Sequence, residues 1–113
     1  MRLIDSHAHL QAEAFERDQD QVLDAARASG VERILVPGWD VESSRAALAL
    51  AKRSGIDAAA GIHPHHAANA DDEAWMDIVE LLADQRCVAV GETGLDYDRG
   101  FSPRETQLEN LRR

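Results

Sequence analysis

The chain alternates short apolar runs with longer amphipathic stretches from one end to the other. Four runs are nearly continuous in apolar residues, as buried parallel strands are, and they lie at 3–4, 33–38, 58–64 and 87–92. The stretches between these runs place apolar residues at helical spacing among charged neighbours. The resulting order, β-α-β-α-β-α-β-α, predicts parallel strands joined by right-handed crossovers.

Particular residues mark the ends of the predicted helices. Gly30 is expected to end the first helix, because a glycine there tolerates the left-handed conformation of a helix stop. Asp40 and Asp71 are expected to cap the second and third helices through their side-chain oxygens. Ser102 is expected to cap the fourth helix, with Pro103 at its first helical position.

Four βα units in 113 residues occupy about 28 residues each, a length that fits two parallel architectures. One is an open doubly wound sheet, and the other is part of a (β/α)8 TIM barrel, which in full needs about 250 residues. No Gly-x-Gly-x-x-Gly follows the first strand, so a dinucleotide-binding sheet has no specific support.

The charge balance is acidic: 12 Lys and Arg face 21 Asp and Glu, for a net charge of −9. This argues against a basic nucleic-acid clamp that binds by charge alone, but not against an enzyme that binds phosphates through metal ions. Cys87 is the only cysteine, so no internal disulfide forms and a reducing, cytoplasmic location is expected. No apolar run is long enough for a membrane span, so no membrane partner is expected.

Polar residues gather where the predicted strands end, which is the functional face of both parallel architectures. His7 and His9 follow the first strand with Asp5 before them, and alternate residues of an extended strand face one side. Two imidazoles about 6–7 Å apart along such a strand can converge on one cation. We therefore expect His7 and His9 to be metal ligands, with Asp5 on the same face.

Glu92 lies at the exit of the fourth strand, at the level of the two histidines. A carboxylate in that position can bridge two divalent cations. Asp96 and Tyr97 follow it and either orient ligands or form a turn and a packed ring.

His63 lies at the exit of the third strand and can point into the same site, where it would contact phosphate or polarise a leaving group. His65 and His66 follow Pro64 and are expected in the loop. A separate metal site built from these three histidines is the less favoured alternative.

Three segments, 4–10, 61–65 and 90–97, occur in order at the ends of the first, third and fourth strands. Together they resemble the TatD family of metal-dependent deoxyribonucleases. Gln11 departs mildly from the Asp or Asn usual after the first motif. The resemblance covers the whole chain but only the N-terminal half of such a protein. It implies that residues 1–113 are a partial metallo-hydrolase barrel domain: the first four βα units of a (β/α)8 TIM barrel.

The resemblance also implies roles for individual residues. His7 and His9 would bind the first of one or two divalent cations (Mg, Mn or Zn), and Glu92 would bridge both and take part in catalysis. His63 would be the second catalytic residue, lining the site near the substrate phosphate. The implied activity is metal-dependent hydrolysis of phosphodiesters, often 3′ to 5′ on DNA, with DNA or another nucleotide phosphodiester as substrate.

The family takes its remaining ligands, two histidines and an aspartate, from later strands that would lie beyond Arg113. We therefore expect a truncated chain with weak activity alone, which pairs with a missing C-terminal half or self-associates. Two alternatives remain open. One is another barrel metallo-hydrolase, such as an amidohydrolase or phosphoesterase, and the other is a non-catalytic half-barrel assembly module.

Overall fold

The computed structural model describes all 113 residues and contains one sheet of four parallel strands, paired in the order β1-β2-β3-β4. The strands are β1 Leu3–Asp5, β2 Val31–Pro37, β3 Ile56–Ala60 and β4 Cys87–Val90. The helices are α1 Gln19–Ala28, α2 Val41–Leu50, α3 Asp72–Leu82 and α4 Arg104–Arg112. Two 3-10 helices lie at Glu13–Phe15 and Pro64–Asn69. The predicted βα alternation is confirmed.

Apolar side chains of the helices and of β2 and β3 form the core. Nine buried residues make one cluster: Leu10, Leu23, Ile34, Val36, Ala47, Leu48, Ala51, Ile56 and Ala58. The outer strands differ, because Ile4 on β1 and Val88 and Val90 on β4 are 71%, 58% and 59% exposed. Val88 and Val90 are two residues apart, so they present one apolar face of β4.

Three of the four predicted helix signals are present. Gly30 has φ 97° and follows α1, Asp40 accepts from Ser43 N–H at 2.8 Å, and Asp71 accepts from Ala74 N–H at 2.8 Å. The prediction for Ser102 was wrong: α4 begins after Pro103 and has no side-chain cap. Ser102 is 2% exposed, and its hydroxyl bonds to the loop after β3 instead of to α4.

None of the helices combines the length and the apolar character that crossing a membrane requires. Cys87 is free and partly buried at the start of β4. The expected cytoplasmic location stays a prediction.

Candidate metal centre

The carboxyl ends of the four strands meet at one edge of the sheet, and backbone hydrogen bonds tie the segments that follow them together. Glu92 N–H donates to the carbonyl oxygen of Gly38 at 2.7 Å. His63 N–H donates to the carbonyl oxygen of Trp39 at 2.9 Å. Because the exits of β2, β3 and β4 are linked in this way, the side chains they carry have fixed relative positions.

His7 and His9 do not continue the strand. The expectation that they lie on one side of an extended strand was therefore wrong. β1 ends at Asp5, and the Asp5 carboxylate accepts the N–H of His7 at 3.0 Å. This local turn bends the chain, so the Nε2 atoms of the two rings lie 3.1 Å apart. The carboxylate of Asp5 is used in the turn and not, as expected, on the face of the two rings.

Three potential ligand atoms converge: the Nε2 atoms of His7 and His9 and the carboxylate of Glu92, all within 4.8 Å of one another. His7 Nε2 lies 3.5 Å from Glu92 Oε1, and His9 Nε2 lies 3.2 Å from Glu92 Oε2. Ligands about 2.0–2.1 Å from a cation, at octahedral or tetrahedral angles, are about 2.9–3.4 Å apart. Two of the separations, 3.1 Å and 3.2 Å, lie within that range and the third, 3.5 Å, is just above it, so the donor set fits a divalent cation.

The orientation of the His9 ring supports the same conclusion. Its Nδ1 lies 3.1 Å from the carbonyl oxygen of Pro37, which can only accept, so Nδ1 carries a proton and, in the neutral ring, Nε2 carries a lone pair. Gln11 donates to the same oxygen at 2.8 Å. Histidine ligands of metals commonly bond a carbonyl through the other ring nitrogen in this way, and a cation between Nε2 and the facing Glu92 carboxylate would bind both.

Gly61 allows Glu92 to approach β3, a feature that the sequence reasoning missed. A Cβ on Gly61 would lie 2.7 Å from the carbonyl oxygen of Glu92 and 2.8 Å from the carbonyl carbon of Gly91. Gly91 N–H donates to the carbonyl oxygen of Ala60 at 2.9 Å, which continues the β3–β4 pairing. Because Gly61 has no side chain, the backbone at Glu92 can approach β3. This close approach determines how near the Glu92 carboxylate lies to the two histidines.

His63 lies beside the cluster, on the wall of an open cavity of about 250 Å³ lined by His9, Trp39, His63, His65, His66 and Glu92. Partial burial lowers the pKa of His63 below its usual value, and the nearby His65 lowers it further, while Glu92 opposes these effects. His63 is therefore neutral near pH 7, and it lines the same cavity as His9 and Glu92.

The ligand atoms of His63, His65 and His66, the alternative site, do not converge as a group in this structure. The Nδ1 of His63 accepts the backbone N–H of His65 at 3.0 Å, and the Nε2 of His65 lies 2.5 Å from the carboxylate of Asp96. The bond from His65 holds the pKa of Asp96 below its usual value. Asp96 also accepts the N–H groups of Asp98 and Arg99, so it both forms a turn and orients a histidine.

Comparison with known proteins identifies the family. The profile of the TatD-related DNase family matches residues 4–113. The chain is 41% identical over 111 residues to the uncharacterised metal-dependent hydrolase YabD of Bacillus subtilis, covering 97% of this chain and 44% of that protein. It is 37% identical over 101 residues to the 3′-5′ ssDNA/RNA exonuclease TatD of Cronobacter sakazakii, covering 88% of this chain and 38% of that protein.

Solved structures agree with the sequence comparison. The chain superimposes on YJJV, a TatD homologue of Escherichia coli K12, with a TM-score of 0.88 and 32% identity, covering 98% of this chain and 44% of that chain. For a TatD-family hydrolase of Entamoeba histolytica the TM-score is 0.90 at 25% identity, with 99% and 44% covered. The chain spans less than half the length of these relatives. It belongs to the TatD-related DNase family, and its four parallel βα units match the N-terminal half of the TIM barrel in that family's structures.

Proposed function

We propose that the protein carrying this chain hydrolyses phosphodiester bonds of nucleic acids with one or two divalent cations held in part by His7, His9 and Glu92. The observation that carries the proposal is the convergence of three ligand atoms with the Nε2 lone pair of His9 turned inward. The exonuclease name of the Cronobacter sakazakii relative supports a nucleic-acid substrate. The family match favours this activity over that of an amidohydrolase.

When bound, a divalent cation supplies positive charge that polarises the phosphate and activates the attacking water. The chain's own residues would position the cation and the phosphate. Glu92 turns one oxygen toward each histidine, so the three side chains would hold one cation together. His63 lines the same cavity, where it would contact the phosphate of a bound substrate. The net charge of −9 repels a polyanion, and a bound cation would offset that repulsion at the site.

We further propose that residues 1–113 are one part of a barrel domain and are weakly active by themselves. Three ligands from two strand exits hold a cation less firmly than a complete set does. The exposed apolar residues Ile4, Val88 and Val90 on the outer strands favour packing against further barrel structure or a second copy.

A chimaera tests the function separately from the weak activity of the short chain. Residues 1–113 would replace the matching part of the Cronobacter sakazakii exonuclease, and cleavage of a labelled single-stranded oligonucleotide would be followed with Mn²⁺ and with EDTA. We expect cleavage that EDTA abolishes, that Glu92→Gln abolishes and that Glu80→Gln, on exposed α3 surface, leaves intact. A folded chimaera that binds Mn²⁺ but cleaves no phosphodiester would contradict the proposal.

A further inference from the structure

We infer that His65 and Asp96 are positioning residues that fix His63 as the neutral tautomer with its proton on Nε2. His63 is then a hydrogen-bond donor to the substrate phosphate and not a proton acceptor in the reaction. The inference rests on the proposed phosphodiester hydrolysis at the neighbouring metal centre, and it assigns a function to the polar residues between β4 and α4 that the metal cluster does not use.

The tautomer follows from one hydrogen bond. The backbone N–H of His65 points at Nδ1 of His63 at 3.0 Å. A backbone N–H can only donate, so Nδ1 of His63 holds a lone pair, and the single proton of the neutral ring is on Nε2. An imidazole in this state presents N–H, not a lone pair, at its free nitrogen.

The bond persists only if the backbone of His65 stays in place, and His65 is held at two points. Its Nε2 lies 2.5 Å from Asp96 Oδ2. Its carbonyl oxygen accepts the hydroxyl of Ser102 at 3.0 Å, and the same hydroxyl accepts the N–H of Ala68 at 3.0 Å. The loop after β4 therefore holds both the side chain and the carbonyl of His65.

That loop is in turn anchored by Gln107 on α4, a residue that is 1% exposed. Gln107 accepts the N–H of Asp96 at 2.8 Å and donates to the carbonyl oxygens of Asp96 and Ser102 at 2.9 and 2.8 Å. Asn110, one turn later, donates to the carbonyl oxygen of Ile62 at 3.1 Å, directly before His63. Buried amides satisfied in this way are rigid, because each lost bond would leave an unpaired polar group.

The surroundings of His63 agree with a neutral ring. Burial lowers its pKa, and it faces His65, Glu92, His66 and Asp96, of which the two carboxylates oppose the lowering. A protonated His63 would turn an N–H toward the N–H of His65 and break the bond that holds the ring.

The first test is nitrogen-15 NMR of the histidine rings of the chain at pH 7 without metal, which needs no activity. We expect Nδ1 of His63 to resonate as an unprotonated nitrogen and Nε2 as a protonated one. Asp96→Ala should convert His63 to a mixture of tautomers, whereas Asp98→Ala, whose side chain makes no hydrogen bond in this network, should not. A His63 protonated on Nδ1, or on both nitrogens, in the unsubstituted chain would overturn the inference.

The second test uses the chimaera described above. Glutamine retains an N–H donor but cannot act as a base at neutral pH, so His63→Gln should keep about tenfold more kcat than His63→Ala. Equal loss in both variants would contradict the donor role. Failure of the proposed function has a different signature, since a chimaera without cleavage can still show the expected His63 tautomer by NMR.

Discussion

The Nδ1–H of His9 donates to the carbonyl oxygen of Pro37, the last residue of β2, at 3.1 Å. This bond turns the lone pair of the opposite nitrogen toward Glu92, which comes from the exit of β4. The His9 ring belongs to the first βα unit, is oriented by the second unit, and faces the Glu92 carboxylate of the fourth. The candidate metal centre is therefore a property of the folded sheet and not of the His-x-His motif alone.

Gln11 should tune metal affinity without touching the metal. It donates to the same carbonyl oxygen as His9, and loss of that bond leaves the Pro37 carbonyl and the His9 ring less firmly oriented. We expect Gln11→Ala to weaken divalent-metal binding by about tenfold, as loss of an outer partner of a ligand does. Calorimetric titration checks this, with Gln21→Ala on the exposed surface of α1 as control. Equal affinities in the two variants would show that Gln11 has no part in the site.

Gly61→Ala should damage both stability and metal binding. The added methyl would lie 2.7 Å from backbone, so β3 or the Glu92 segment must shift. We expect the free energy of unfolding to fall by about 1–3 kcal/mol, measured by urea denaturation. Gly91→Ala provides a comparison, because its methyl would have its nearest heavy atom at 3.9 Å. If the Gly61→Ala protein proved as stable as the Gly91→Ala protein, the close approach would be contradicted.

Stability without metal should depend on pH through His63. Its folded pKa is lowered, so between that value and 6.5 the unfolded chain binds a proton that the folded chain excludes. Stability therefore falls as the pH drops through this window and levels off below the folded pKa. Urea denaturation at several pH values, compared with His63→Gln, isolates the effect. A difference between the two proteins that is constant with pH would count against it.

The chain should self-associate through its outer strands. Val88 and Val90 are more than half exposed on an edge strand, and an exposed apolar edge favours pairing. Sedimentation velocity should show dimers or larger species that Val88→Lys reduces. Val79→Lys is the matched control, since Val79 is 62% exposed but lies on α3. A chain that stays monomeric at all concentrations would contradict the prediction.

Much of the fold follows from local sequence signals, because each βα unit has its own apolar run and its own residues that begin or end a helix. The strand exits, and with them the neighbourhood of His7, His9, His63 and Glu92, follow from that alternation. The turn made by Asp5 does not, since an aspartate at a strand end is compatible with both an extended and a bent continuation.

The network around Gln107 also lies outside what periodicity can predict. Its partners are backbone groups of Asp96 and Ser102, which come from the loop before α4. Ser102 carried a strong capping signal, but a buried hydroxyl between two segments satisfies more polar groups than a cap at the exposed start of α4 would. Ser102 therefore makes tertiary hydrogen bonds in place of the local helix cap that its sequence position favours.

Calorimetric titration of Zn²⁺ into the metal-free chain tests the central claim most directly, because it needs neither substrate nor a complete barrel. The unsubstituted chain and Glu80→Gln should bind with the same affinity, and Glu92→Gln, His7→Gln and His9→Gln should each bind at least about tenfold more weakly. Binding that is unchanged by all three substitutions would show that His7, His9 and Glu92 do not form the metal centre.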